Sequence, residues 1–234
     1  KEFGFKVIED ASHAIGGQYL KNPIGNCKYS DITVFSFHPV KIITSGEGGM
    51  AVTNNKKLAN SMTLFRSHGA TRDPSQMNGK KTDGGWYYQQ IKLGFNYRMT
   101  DIQAALGISQ FKKLNFNVKR RHELADRYSK ILVDLPLKLP YQDKDSYSSF
   151  HLYIIRLKNR SKEEHKQFFE NLRKRGIGVN LHYIPIYRQP FFKFKKSEYK
   201  NFPQSEAYYS EAISIPLYPS MTNQDQDKVI KVIK

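Results

Sequence analysis

Three short clusters near the start of the chain carry side chains that can do chemistry. Asp10 follows an apolar run and is followed closely by Ser12 and His13. Ser36 and His38 end a second apolar run, and Lys41 stands two residues beyond Pro39. The turn Gly46-Glu47-Gly48-Gly49 comes next. A carboxylate, a hydroxyl and an amine at strand ends suit a ligand bound outside the carboxyl ends of an open α/β sheet.

One cofactor uses this set directly. Pyridoxal phosphate needs a lysine for its Schiff base and a carboxylate on its pyridinium nitrogen, and a hydroxyl such as that of Ser36 can donate to its phosphate. Taken singly, each residue has a commoner role. Asp at a strand end caps helices and turns, a lone His is a satisfied structural group, and a lone Lys is a surface charge. The residues by themselves leave both readings open.

The elements that must position these groups are legible from periodicity. Residues 5–8 read as a buried strand with the acidic exit Glu9-Asp10, 31–37 as a second strand and 50–53 as a short third. Residues 54–66 place Leu58, Met62 and Phe65 at helical spacing. Residues 70–90 are polar and glycine-containing, a long loop that reads as a lid near a substrate entrance, held by Trp86 and Tyr87, or as a plain surface excursion. Thr100-Asp101-Ile102-Gln103 is a capping box, opening an apolar helix face through Ala105, Leu106, Phe111 and Leu114. A second helix is expected over 117–133.

Beyond it the chain has its own αβ rhythm. Residues 151–157 read as a strand. Ser161-Lys162-Glu163-Glu164 starts a helix with Phe168, Phe169 and Leu172 inward and Gly176 as a left-handed stop. Residues 177–183 read as a strand, 205–210 as helical, 213–215 as extended and 222–234 as a final helix. The fold class is α/β, divided near residue 115 into 1–115 and 116–234.

Composition bounds the function classes. At 234 residues a chain can bury roughly 70% of its unfolded surface. Its 15 Phe and 15 Tyr argue against disorder. The single cysteine, Cys27, excludes an internal disulfide framework and a cysteine-based zinc site. No apolar run reaches the ~18 residues of a membrane span, and no signal peptide opens the chain, which points to a cytoplasmic protein away from membranes. The formal net charge of +17 admits nucleic acid or phosphorylated small molecules as partners. It comes mostly from scattered lysine, and no nucleic-acid module accompanies it, so nucleic acid is not expected.

Longer strings carry a resemblance. Val7-Ile8-Glu9-Asp10-Ala11-Ser12-His13-Ala14, Phe35-Ser36-Phe37-His38-Pro39-Val40-Lys41, the glycine turn and Leu93-Gly94-Phe95-Asn96-Tyr97-Arg98-Met99-Thr100-Asp101-Ile102-Gln103-Ala104-Ala105 resemble the DegT/DnrJ/EryC1/StrS sugar aminotransferases. Within that family the strings around 65–69, 149–153, 175–187 and 213–219 are similar to the pseudaminic-acid branch. The resemblance implies the fold type I of pyridoxal-phosphate aminotransferases, here a remnant of the large domain followed by the small C-terminal α/β domain. It implies Lys41 as Schiff-base lysine and proton shuttle, Asp10 on the pyridinium nitrogen, His13 against the ring and Ser36 on the cofactor phosphate and near substrate. It further implies Asn96 offered to the partner's site in a homodimer, with Asn180, Leu181, His182 and Tyr183 lining the nucleotide-sugar site.

The implied reaction moves an amino group from glutamate to the 4-keto position of a UDP-linked 2-acetamido-2,6-dideoxy sugar, giving UDP-4-amino-4,6-dideoxy-N-acetyl-β-L-altrosamine. Another nucleotide-linked 4-keto sugar is the alternative substrate, and a non-catalytic interaction module the alternative role. A sugar dehydratase of the same family would carry histidine in place of Lys41. The chain starts with Lys1 rather than Met, and about 150 residues that precede the Asp strand in the family are absent, including the turn that cradles the cofactor phosphate. It therefore resembles the C-terminal portion of such an enzyme and is expected to be inactive alone.

Overall fold

The computed structural model describes residues 3–79 and 83–234; residues 1–2 and residues 80–82 of the 70–90 segment lie outside the described residues. The chain divides into two compact units, Lys1–Leu114 and Asn115–Lys234.

In the first unit β1 (Ile8–Asp10) gives way to a two-residue ladder of β2 (Gln18–Tyr19) and β3 (Asn22–Pro23). The centre is β4 (Ile32–Ser36), flanked by β1 in parallel and by β5 (Gly49–Val52) in antiparallel register. β4 is central because it is β-branched and aromatic with strict alternation. Thr33 and Phe35 are buried on one face, and Ile32, Val34 and Ser36 are half-buried on the other. Ala11, Ile15, Phe37, Ile42, Ile43 and Leu64 complete this small core.

α1 (Lys56–Phe65) starts where the Asn55 side chain accepts from the Lys57 and Leu58 amides. The 70–90 segment is not a free loop throughout, because its ends pair as β6 (Ala70–Thr71) and β7 (Gln89–Gln90). Within it the Trp86 ring lies over Gly84 and the Tyr87 hydroxyl accepts from the Gln89 amide. The expected capping box is present at α2 (Asp101–Phe111), Thr100 accepting from the Gln103 amide while the Gln103 side chain accepts from the Thr100 amide.

Two expectations fail here. The first strand runs over Ile8–Asp10 rather than 5–8, and it is not buried: Phe5 is 69% and Ile8 68% exposed. β1 is the edge of a three-stranded sheet, so its apolar side chains meet no neighbouring strand on that side. The apolar face of α2 is likewise uncovered, with no buried residue in the helix and Ile102 84% exposed.

All but the first residue of α3 (Leu114–Leu132) belongs to the second unit, which continues with β8 (Leu137–Lys138), β9 (Ser146–Tyr147) and β10 (Tyr153–Leu157). α4 (Lys162–Lys174) begins at the Ser161–Glu164 capping box. Short 3-10 turns cover parts of 186–201, before α5 (Pro203–Glu211), β11 (Ala212–Ile215) and α6 (Asn223–Ile233). β10 lies between β11 and β8, antiparallel to both. Leu124, Tyr128, Leu132, Tyr153, Ile155, Leu172, Ile213 and Ile230 pack into one core, with Phe168 and Phe169 against it. Gly176 ends α4 at φ +78°.

Residues 177–183 do not form the expected strand. Only Asn180 exchanges backbone hydrogen bonds with Ser214 on the edge strand β11, because the Asn180 side chain turns back to accept from the Leu181 amide at 2.8 Å. Among the described residues no helix is long and apolar enough to cross a membrane, and no group of His, Cys, Asp and Glu is placed to hold a metal.

Candidate active site

Asp10 is the last residue of β1 and Ser36 the last of β4, so both stand at carboxyl ends of adjacent parallel strands. Asp10 is opposite Val34 in the register, and the Ala11 amide donates to the Val34 carbonyl at 2.8 Å. Serine two residues after an aspartate favours a turn closed by the carboxylate, and that is what forms. Asp10 Oδ1 accepts from the Ser12 amide at 3.0 Å and the Ser12 hydroxyl at 2.5 Å. These bonds, the hydroxyl's first, hold the Asp10 carboxyl below its ordinary range, and the charges of His13 and Lys41 add to the effect.

Lys41 is carried by the loop that joins β4 to β5. The Phe37 amide donates to the Gly48 carbonyl and the Ser45 amide to the Phe37 carbonyl, which pinch the base of the loop. Ile42 and Ile43, 4% and 2% exposed, anchor it directly after the lysine. The Lys41 ammonium is destabilised chiefly by partial burial, which lowers its pKa, while Asp10 pulls the other way. Asp10, His13 and Lys41 therefore lie within electrostatic reach of one another.

The glycines of the turn have steric reasons. A Cβ on Gly49 would stand 2.7 Å from the Phe35 carbonyl oxygen. One on Gly48, at φ +149°, would stand 2.6 Å from both the Met99 methyl and the Ser45 hydroxyl. Ser45, 1% exposed, donates to the Glu47 carbonyl at 2.7 Å.

The Ser36 hydroxyl accepts from the His38 amide at 3.4 Å and, among the described residues, donates to nothing. His38 Nε2 is 3.9 Å from Glu47 across the loop. A carboxylate fixed as an anion, an amine with a lowered pKa and a hydroxyl proton left over fit the needs of pyridoxal phosphate: a counter-charge, a carbonyl-reactive nitrogen and a phosphate donor.

Asn96 is placed by another strip of backbone, bridged to Ser67, and its side chain is exposed. The remaining predicted residues belong to the second unit. His182 Nδ1 is 2.7 Å from the Ser214 hydroxyl, and the Tyr208 hydroxyl donates to the His182 carbonyl at 3.1 Å. The Asn180 amide nitrogen lies 3.5 Å from His182 Nε2, and Tyr183 packs edge-to-face on the His182 ring. Leu181 is half-buried between them. Sequence reasoning missed Ser214 and Tyr208 as supports of His182, because partners some 30 residues away leave no local signal.

All 234 residues match the DegT/DnrJ/EryC1/StrS aminotransferase family, and the chain belongs to it. A protein of Methanocaldococcus jannaschii without an assigned function is 39% identical over the whole chain and 60% of its own length. The UDP-4-amino-4,6-dideoxy-N-acetyl-β-L-altrosamine transaminase of Campylobacter jejuni is 38% identical over 96% of the chain and 57% of its own length. Among solved structures, Helicobacter pylori PseC, an aminotransferase of pseudaminic acid biosynthesis, superposes with a TM-score of 0.86 at 31% identity. It covers 99% of this chain and 59% of its own. The PLP-form of the Streptococcus pneumoniae sugar aminotransferase Spr1654 gives 0.85 at 28% identity, over 97% of this chain and 56% of its own. The chain thus spans less than two thirds of the length of the relatives it matches, and the fold is that of pyridoxal-phosphate-dependent sugar aminotransferases.

Proposed function

We propose that this chain carries the lysine-bearing part of an aminotransferase that moves an amino group from glutamate to a nucleotide-linked 4-keto sugar. The observation that carries the reading is the placement of Asp10 and Ser36 at the carboxyl ends of adjacent parallel strands β1 and β4, with Lys41 on the loop that follows β4. When bound, pyridoxal phosphate supplies an exchangeable carbonyl and a ring that takes up the electrons released when a neighbouring C–H bond breaks.

The chain's own residues do the rest. Asp10, kept anionic by Ser12, holds a proton on the ring nitrogen. Lys41 would hold the cofactor through its nitrogen and, as a free amine, would be the base that takes a proton from the donor carbon and, as its ammonium, the acid that gives one to the acceptor carbon. Partial burial favours the neutral amine that this work needs. His13 would lie against the cofactor ring and Ser36 would donate to its phosphate. In sum, glutamate and ketone become 2-oxoglutarate and amine.

The Campylobacter and Helicobacter relatives favour a UDP-linked 2-acetamido-2,6-dideoxy-4-keto sugar as acceptor, with the altrosamine derivative as product. Asn180, Leu181, His182 and Tyr183 would line its site. The working form is a homodimer in the cytoplasm, with Asn96 offered to the partner's site. The exposed Leu93, Phe95 and Tyr97 around Asn96 support that reading. The test is glutamate-dependent appearance of the 4-amino sugar, with 2-oxoglutarate in equal amount, from the complete enzyme. Amination of a different nucleotide sugar in preference would overturn the substrate, and no amination of any would overturn the reaction.

A further inference from the structure

Glu9 and Asp10 are adjacent carboxyl residues at the end of β1, and alternation along a strand puts them on opposite faces of the sheet. Only one of them can face the ligand. A slip of one residue against β4 would turn Asp10 away and put Glu9 or Ala11 in its place. Burial does not guard against that slip. β1 is three residues long, and Ile8, on the face of Asp10, is 68% exposed.

Polar contacts hold the register instead. At the amino end the Asp31 side chain accepts from the Val7 amide at 2.9 Å, and the Asp31 amide donates to the Val7 carbonyl at 2.8 Å. Beside Asp10 the register partners are Glu9 and Thr33. The hydroxyl of Thr33, a residue with 0% exposure, donates to Glu9 Oε2 at 2.8 Å, and the Ser30 hydroxyl donates to the same oxygen at 3.3 Å. The two hydroxyl oxygens lie 3.0 Å apart. The Cys27 sulfur is 3.5 Å from Thr33 Oγ1 and donates to the Val52 carbonyl at 3.3 Å, which extends the cluster to β5. A threonine has one hydroxyl proton to give, and Thr33 gives it to Glu9. A slipped β1 would take that acceptor away from a hydroxyl that water does not reach.

We infer that Glu9 is a positioning residue of the site: through Thr33 and Ser30 it locks the register of β1 on β4, and so makes Asp10, rather than Glu9 itself, the carboxylate that faces the ligand. The inference rests on the aminotransferase reading for what Asp10 faces. Two measurements on the complete enzyme test it. The first, amide hydrogen exchange, needs no cofactor. The Ala11 amide, bonded to the Val34 carbonyl, should exchange about tenfold faster or more in Glu9→Leu and in Thr33→Val. In Glu9→Gln, which keeps an oxygen for both hydroxyls, it should stay within about threefold of the parent. The Ile155 amide, in the core of the second unit, should be unchanged throughout. The second measurement is nitrogen NMR of ring-labelled pyridoxal phosphate bound to the enzyme, which reads the proton that Asp10 would hold. The signal should move from the protonated toward the unprotonated position in Glu9→Leu and Thr33→Val, and stay in place in Glu9→Gln. Ala11 exchange unchanged in both Glu9→Leu and Thr33→Val would overturn the lock. Faster exchange with the ring signal unmoved would make Glu9 a structural residue only and overturn its positioning role. A parent that binds no pyridoxal phosphate would overturn the aminotransferase reading, and Ala11 exchange would still decide the lock.

Discussion

The Lys41 amine is under two opposed influences, burial that favours the neutral form and Asp10 that favours the ammonium. Replacing Asp10 with Asn keeps the shape and removes the charge. The Lys41 pKa should then fall further, and turnover of the complete enzyme should drop by orders of magnitude while some cofactor still binds; a near-parental rate would remove Asp10 from its role. The pH sign follows from the direction of the Asp10 shift. A carboxyl held low when folded stabilises the fold above its unfolded pKa near 4, and that contribution is lost as pH falls through the lower folded value. Ser12→Ala removes the first cause of the shift. Its Asp10 titration, followed by NMR, should move up toward the ordinary carboxyl range, and an unmoved titration would contradict the assignment. Arg121 is a second residue whose environment decides its role. It is 4% exposed, donates to the carbonyls of Phe150, His151 and Leu217, and has its pKa lowered to about 10 by burial alone. Arg121→Met would strand three carbonyls and should cost about 3 kcal/mol in urea unfolding.

Capping boxes were the most legible elements, because Thr100-x-x-Gln103 and Ser161-x-x-Glu164 each state both partners locally; the structure adds a third at Thr222-x-x-Asp225, where the sequence showed only a final helix. Ser161→Ala should destabilise the second unit by about 1 kcal/mol, read by thermal unfolding with Lys166→Ala as a surface control. The Glu164 carboxyl is held at about 2, first by the Ser161 amide, so the effect of the cap should fade as pH drops below the ordinary carboxyl range. The segments read wrongly share one cause. The strand expected over 177–183 rests on side-chain pattern, but among the described residues its one ladder contact is the isolated bridge of Asn180 with Ser214. Likewise α2 has a sound apolar periodicity and no described surface to bury it. Glycine 94 was visible only as part of a family string, yet a methyl there would collide with the Gly69 amide nitrogen and stand 2.7 Å from the His68 carbonyl carbon. Gly94→Ala should cost about 1–3 kcal/mol by overpacking.

At the scale of the molecule the two units differ in how completely they bury their apolar residues. The second encloses Tyr128, Leu132, Tyr153, Ile155, Leu172 and Ile213 at 0% exposure. The first leaves Phe3, Phe5, Ile8, Ile102 and Phe111 more than half exposed. Apolar surface of that kind associates, so the 234-residue chain should sediment as oligomers at micromolar concentration; a stable monomer would contradict this. The placement of Asp10 and Ser36 at the ends of adjacent strands, with Lys41 on the following loop, was legible in the sequence where strand-end chemistry and family strings coincide. The partners of His182 at Ser214 and Tyr208 were not, because they come together only once segments some 30 residues apart are folded.

The central claim is that Lys41, out of many lysines, is the one whose amine is set for pyridoxal phosphate. Borohydride reduction of the protein with equimolar pyridoxal phosphate, followed by peptide mass mapping, tests it most directly. The account predicts reduced cofactor concentrated on Lys41 and lost from that peptide in Lys41→Ala. Label spread evenly over surface lysines, with Lys41 no more modified than the rest, would contradict it.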